Sequence, residues 1–231
     1  MILEAMQSAI HLLTHPTREF LGIVLLTFAV SGASLMLAAL AGVPLGAALA
    51  LGRFRGRGAV IACTNAFMGL PPVVVGLVVY LVLSRSGPLG FMQLLYTPSA
   101  MVIAQFVLAL PIVVALAESA VAGVDPTVRL AARTLGASPA QVSRTVVFEA
   151  RYGIYAAVVA ALGRVMAEVG AVLMVGGNIK GQTRVMTTTI ALETDKGEFA
   201  LALALGIVLL LLSVGLNVGL HALRSRGARR V

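Results

Sequence analysis

Several stretches of this 231-residue chain contain no Asp, Glu, Lys or Arg, among them Phe20 to Gly52, Gly58 to Ser84 and Phe199 to Leu223. Each is longer than the roughly 18–20 apolar residues a helix needs to cross the hydrocarbon of a bilayer. A soluble core of this size would need polar residues to cover it. Only 11% of this chain is charged and 59% is apolar, against about a quarter charged in an ordinary globular domain. The chain therefore reads as an all-α integral membrane protein.

The apolar pattern predicts about five spans. The first covers roughly Leu21 to Leu51 and is longer than a straight crossing, which implies tilt, a kink at Pro44 or extension beyond the bilayer. Gly42 and Gly46 form a small-xxx-small pair suited to close helix contact. The second covers Ala59 to Ser84 and is interrupted by Pro71 and Pro72. Adjacent prolines leave carbonyls without partners, so this break should face protein or a watery cavity. The third runs from Pro98 to Ala117, with Pro111 inside it. The fourth runs from Tyr152 to Val175 and carries Arg164 and Glu168. The fifth runs from Phe199 to His221. Ahead of them, Met1 to Glu19 reads as an amphipathic helix lying at the interface, with Ile2, Met6, Ile10 and Leu13 on one side. These residues lack the basic start and apolar stretch of a cleavable signal peptide.

Basic residues set the orientation. One set of loops holds Arg53, Arg55, Arg57, Arg129, Arg133, Arg144, Arg151, Arg224, Arg226, Arg229 and Arg230, eleven in all, and the alternate set holds the five residues Arg18, Arg85, Lys180, Arg184 and Lys196. The positive-inside rule then places the amino terminus outside and the carboxyl terminus in the cytoplasm. This accounts for the net charge of +8 without nucleic acid, for which an amphipathic basic face with stacking aromatics would be needed.

Glu118 to Arg151 is the long polar stretch on the cytoplasmic side, and it spells two short helices. Asp125 is an N-cap and Pro126 suits the first helical position. An apolar stripe follows at Val128, Ala131, Ala132 and Leu135, and Gly136 is placed to stop the helix in the left-handed conformation. Ser138, Pro139 and Gln141 make a second start with a capping box. Such a helix can dock into a groove on a partner; it can equally be an ordinary interhelical loop.

The segment Leu130-Ala131-Ala132-Arg133-Thr134-Leu135-Gly136, continued to Phe148, resembles the coupling loop of type I ABC importer permeases. That motif reads Glu-Ala-Ala, three residues, Gly, nine residues, Ile-x-Leu-Pro. Val146 and Phe148 stand for the Ile and Leu, while Leu130 replaces the glutamate and Glu149 the proline. Gly69 to Gly76, Ala131 to Ser138 and Gly163 to Ala171 are similar to the molybdate and tungstate branch, and Met174 to Arg184 with Gly197 to Phe199 is similar to tungstate permeases. The resemblance implies a transmembrane domain over 20–223, a coupling region over 125–150, a basic cytoplasmic tail over 224–231, and a place in a bacterial or archaeal inner membrane. It implies that Arg129, Leu130, Ala131, Ala132, Arg133, Leu135, Gly136, Ala137 and Ser138 meet an ATPase. The expected partners are a second copy of the chain, two cytoplasmic ABC ATPase subunits, an extracytoplasmic oxyanion-binding protein and membrane lipid. The expected cargo is tungstate, with molybdate and sulfate as alternatives.

Other residues carry chemistry at membrane depth. Arg164 and Glu168, spaced i, i+4 on one helix, read either as a neutralised pair that locks packing or as a part of the anion route. With Pro71 and Pro72 they are the expected pathway or gate. Asn178, Gln182, Thr183, Thr187, Thr188 and Thr189 offer hydrogen-bond donors without charge, which suits passing a dianion along weakly. Lys180 and Arg184 could attract an anion or an acidic patch on a delivering protein; a solvated loop is the plainer reading.

Gly176 to Thr183 nearly matches a phosphate-binding loop, but Gln182 stands where its lysine belongs. The chain is therefore expected to hydrolyse no ATP itself and to need no cofactor. His11 and His15 have metal-pair spacing without a third ligand nearby, and no catalytic or metal set is expected. Cys63, the single cysteine, lies inside an apolar run and reads as a small buried hydrophobe. An ion-coupled secondary transporter would need an internal repeat and midplane carboxylates, of which only Glu168 is present.

Overall fold

The computed structural model describes residues 2–228, with side chains from Met6 to Gly215 and at Val218 and Gly219. Arg229 and Arg230 of the expected tail lie outside the described residues, and the rest of that tail continues the last helix as far as Ala228. The described chain is helical without strands.

Helix α1 spans Ile2–Thr14 and α2 spans Arg18–Leu51. Thr17 caps α2 by accepting the Phe20 N–H, and the helix runs on through Pro44 for 34 residues. At about 1.5 Å per residue this length exceeds the hydrocarbon thickness, so α2 emerges from the bilayer. Helices α3 (Arg57–Phe67) and α4 (Pro72–Leu83) divide the second apolar run. They meet at 98°, at the proline pair. Helix α3 buries none of its residues, so Cys63 is exposed and not buried as expected. Pro71 has extended backbone and Pro72 opens α4, where a missing N–H costs nothing. Helix α5 (Pro98–Ala122) follows, then the short α6 (Pro126–Thr134) and α7 (Pro139–Glu149). Helix α8 (Arg151–Met166) leaves α7 at 58°. The chain closes with α9 (Gly170–Gly176), α10 (Met186–Lys196) and α11 (Phe199–Ala228). Two helices, α2 and α5, are long and apolar enough to cross a membrane alone, and up to four spans result if each bent pair counts as one. Phe199–Gly215 adds a shorter apolar helix segment.

The fourth apolar run differs from expectation. Instead of one helix it is α8 and α9, separated at Ala167–Val169. The Arg164–Glu168 pair expected from the i, i+4 spacing forms, but Glu168 lies beyond the end of α8, so the pair reaches into the break and not along one helix.

Helix α5 is the hub, and its longest interface is with α2. The glycines make that contact possible. A Cβ on Gly46 would stand 2.6 Å from the Val114 carbonyl oxygen, and one on Gly42 would stand 2.9 Å from Val113 Cγ1. Gly76 similarly lets α4 approach Ala171 of α9. Lipid tails are as apolar as leucine, so close packing and buried hydrogen bonds must hold such helices together. Ser34 Oγ donates to Gln105 Oε1 at 3.1 Å. Gln105 Nε2 in turn donates to the Val165 carbonyl at 3.4 Å, joining α2, α5 and α8. Thr27 Oγ1 accepts the Met186 N–H at 2.9 Å, which fastens the start of α10 to α2. Helix α1 lies against α11. It buries Ala9, with Leu12 and Leu13 packed beside Phe20, Ile23 and Leu205.

Candidate functional site

The polar connection between α5 and α8 folds as its caps dictate. Asp125 Oδ1 accepts the Thr127 N–H at 2.8 Å. That bond holds the Asp125 carboxyl below its ordinary value of 3.8. Gly136 ends α6 with φ 81°. Ser138 and Gln141 form the reciprocal capping box of α7. Val142 and Val146 then sink into a cluster with Ala47, Ala50, Val121 and Ile154. This bolts α7 to the ends of α2, α5 and α8.

The stripe read from the sequence divides in two. Val128 and Ala132 are half-buried, whereas Ala131 and Leu135 are open to solvent. The outer surface carries Leu130 at 64% exposure, Leu135 at 87% and Phe148 at 64%. Arg129 is half-buried with its Nε lacking an acceptor, and Arg133, Ala137 and Ser138 complete the rim, Ala137 half-buried and the other two exposed. Arg151 lies over the Phe148 ring at 4.3 Å and over Tyr152 at 4.6 Å, and steadies this edge.

Sequence reasoning missed Arg57. It reads as one more basic residue in a loop, yet its Nε donates to the Leu49 carbonyl at 2.6 Å and its Nη2 to Glu118 Oε1 at 2.9 Å. It therefore closes the carbonyl end of α2 and ties it to α5. The available signal was an acid at the end of the third apolar run, on the same side as the basic knot.

The other candidate region is where the helices break. Glu168 lies beyond the end of α8, 4% exposed. Its Oε2 accepts from Arg164 Nη1 at 3.4 Å. Its Oε1 accepts the Ala171 N–H at 3.1 Å, in the first turn of α9. Its backbone carbonyl accepts from Thr187 Oγ1 at 2.8 Å. Gly170 sits against Val73, one residue after Pro72, so the break before α9 lies beside the break before α4. Arg164, Glu168 and the proline pair are thereby gathered in one region, and Arg164 retains an exposed flank of 42%.

The segment 176–198, expected as a polar connection, contains α10. Thr183, Thr187, Thr188 and Thr189 are buried and their hydroxyls are engaged. Thr183 Oγ1 donates to the Gly176 carbonyl, while Thr188 and Thr189 donate to the Val185 carbonyl. Asn178 donates to the Thr188 carbonyl at 3.4 Å. Gln182 and Lys180 are exposed, and Lys180 pairs with Glu19 at 2.9 Å. His11 and His15 stack at 4.9 Å on the exposed side of α1.

The family described as "Binding-protein-dependent transport system inner membrane component" matches residues 42–227. The chain belongs to this family. Membership makes it a multi-pass inner-membrane permease component of an ABC importer, a class that works with an ATPase and a binding protein. A "Probable anion ABC transporter permease protein" of Haloferax volcanii is 47% identical over 193 residues, covering 81% of this chain and 83% of the relative. The "Tungstate uptake system permease protein TupB" of Peptoclostridium acidaminophilum is 40% identical over 223 residues, covering 96% of this chain and 98% of its own length. Among solved structures, an inward-facing MetNI methionine ABC transporter chain superposes with a TM-score of 0.70 at 19% identity, covering 90% of this chain and 95% of that one. This likeness speaks to the fold: an all-helical type I importer permease.

Proposed function

We propose that the chain is the membrane-spanning subunit of a tungstate importer, with ATP hydrolysed by a separate subunit. The observation that carries this reading is the 40% identity to a tungstate uptake permease across 96% of the chain. Two copies pair, because a bundle with so few spans is too small to enclose a route by itself. The surface of Arg129, Leu130, Ala131, Ala132, Arg133, Leu135, Gly136, Ala137 and Ser138 docks into a groove on the ATPase. Its exposed apolar side chains, Leu130, Ala131 and Leu135, gain most from being covered. Motion passed through α7 opens and closes a route near Pro71, Pro72, Arg164 and Glu168. The segment carrying Asn178, Lys180, Gln182, Thr183, Arg184, Thr187 and Thr188 faces the exterior and the binding protein. The amino terminus lies outside and the carboxyl terminus in the cytoplasm.

The test is uptake of labelled oxyanions by the reconstituted complex. ATP-dependent tungstate uptake, resisting a large excess of sulfate, is the expected result. Preferential uptake of molybdate or sulfate would reassign the cargo. Uptake by the purified chain with no ATPase present would point instead to an ion-coupled transporter and sink the reading.

A further inference from the structure

Beside the start of α2 lies a cavity of about 520 Å³, lined at one end by Arg18, Glu19, Lys180 and Arg184. Three cations face a single carboxylate, so the pocket keeps an excess of positive charge. The carboxylate is also poorly shared. Lys180 Nζ takes Glu19 Oε2 at 2.9 Å, whereas Arg184 Nη1 stands 3.9 Å from Oε1, beyond a hydrogen bond. Arg184 is 14% exposed, and its Nε–H, shut off from solvent, has no acceptor. Among the described residues Arg18 forms no ion pair.

The rest of the cavity has the opposite character. Its wall descends α2 along Gly22, Leu25, Leu26 and Ala29. Leu26 and Ala29 also line a second hollow of about 330 Å³, which continues past Val30 to Val102 and Ile103 of α5. The outer flank of α2 is uncovered, with Leu25 66% exposed and Leu21 44%. The result is one groove on a bilayer-spanning helix, cationic at its mouth and apolar along its length. A free oxyanion needs only the mouth, and an apolar protein face needs only the groove.

We infer that this groove binds an anionic phospholipid, its phosphate between Arg18, Lys180 and Arg184 and an acyl chain along Leu25, Leu26 and Ala29 toward Ile103. A phosphodiester supplies the acceptor that Arg184 Nε lacks and relieves the sharing of Glu19. The inference depends on the orientation proposed above only for which leaflet provides the lipid, and its readout requires no transport.

The test uses the full chain in nanodiscs of equal phosphatidylglycerol and phosphatidylcholine, followed by native mass spectrometry. The wild type should retain phosphatidylglycerol selectively. Lys180→Gln and Arg184→Gln should each reduce that retention about fivefold, since a basic group near anionic lipid contributes on the order of 1 kcal/mol. Lys180→Arg should keep it, which separates charge from folding. Ala29→Trp fills the apolar part and leaves the cations untouched; it should also expel the lipid. Equal retention of both lipids overturns the inference. So does retention indifferent to Ala29→Trp but abolished by millimolar tungstate or inorganic phosphate, which would mark a free-oxyanion site. Efficient cross-linking of Leu25→Cys between two chains in the bilayer would give the groove to a second copy and overturn it as well.

Discussion

Single residues in this protein act mainly by what they leave out or what they satisfy. Gly46 is the plainest case of the first kind. A side chain there would meet the Val114 carbonyl, Ala117 Cβ and the Glu118 N–H, all within 3 Å. Backbone cannot swing aside, so Gly46→Val should force α2 from α5 and cost about 1–3 kcal/mol or more, as overpacking does. Gly32, on the same helix, has nothing within 4 Å. Gly32→Ala should be neutral or slightly stabilising through helix propensity. Thermal unfolding of both variants in one detergent checks the contrast; equal loss would show that the α2–α5 contact is not the limiting one. Glu168 illustrates the second kind, because one carboxylate serves both Arg164 and the start of α9. Glu168→Ala leaves the buried Ala171 N–H without an acceptor and should cost about 1–3 kcal/mol. Glu168→Gln keeps an acceptor oxygen and loses only the pairing with a partly exposed arginine, so it should cost less. The same unfolding assay ranks them, and a Gln variant as damaged as the Ala variant would mean that charge, not capping, is what Glu168 supplies.

At the scale of elements, α6 and α7 were legible because their boundaries are written in local chemistry. Asp125-Pro126 and Ser138-Pro139 with Gln141 satisfy the N–H groups of their own first turns, and Gly136 adopts the conformation that other residues avoid. The break between α8 and α9 was not legible. No proline marks it, and the local cap, Glu168 Oε1 accepting the Ala171 N–H, is made by a glutamate and not by the Ser, Thr, Asp or Asn that announce a helix start. The threonines of α10 misled for a related reason. Runs of hydroxyls suggest an open polar loop, yet here Thr188 and Thr189 bond backward to the Val185 carbonyl and Thr187 to the Glu168 carbonyl, while Thr27 of α2 holds the start of the helix from 159 positions away. The functional consequence of α6 can be measured. Leu135 is 87% exposed and contributes little to the isolated fold, so Leu135→Asp should leave insertion and stability unchanged. It should sharply reduce co-purification with the ATPase, because a charge would be buried at the joint. Gly136→Val should do the same by strain, at about 1–2 kcal/mol for a left-handed residue. Undiminished ATPase binding in both would remove α6 from the coupling surface. The Asp125 cap has a pH signature. Its folded-state carboxyl titrates below 3.8, so its contribution is whole at neutral pH and is lost only as pH falls through that depressed value. Asp125→Asn should therefore remove this acid-dependent loss, read as thermal stability against pH, at only a small cost at pH 7 because Asn caps nearly as well.

The whole molecule raises the question of which way the bundle faces, and two independent features give the same answer. The α6–α7 surface must meet an ATPase in the cytoplasm if it is the coupling element. The basic loops that accompany it, from Arg53 to Arg57 and from Arg129 to Arg151, belong to the richer of the two sets. Part of that charge is structural, since Arg57 is committed to Leu49 and Glu118. The bias nevertheless stays with the same side, because Arg53, Arg55, Arg133 and Arg144 remain exposed. The opposite end carries Arg85 and Ser86 between α4 and α5, together with Glu19 and Lys180. Reversing the molecule would carry the richer set outward against the potential, so the alternative is disfavoured by the charges themselves and not only by the docking argument. In a Cys63→Ser background, Ser86→Cys should react with a membrane-impermeant maleimide on intact cells, and Ser138→Cys only after permeabilisation. Both positions are solvent-accessible or half-exposed in the fold, so a silent cysteine reports the membrane and not burial. Labelling in the reverse order would place α6 outside. It would leave the family membership standing while removing every mechanical role assigned to that helix.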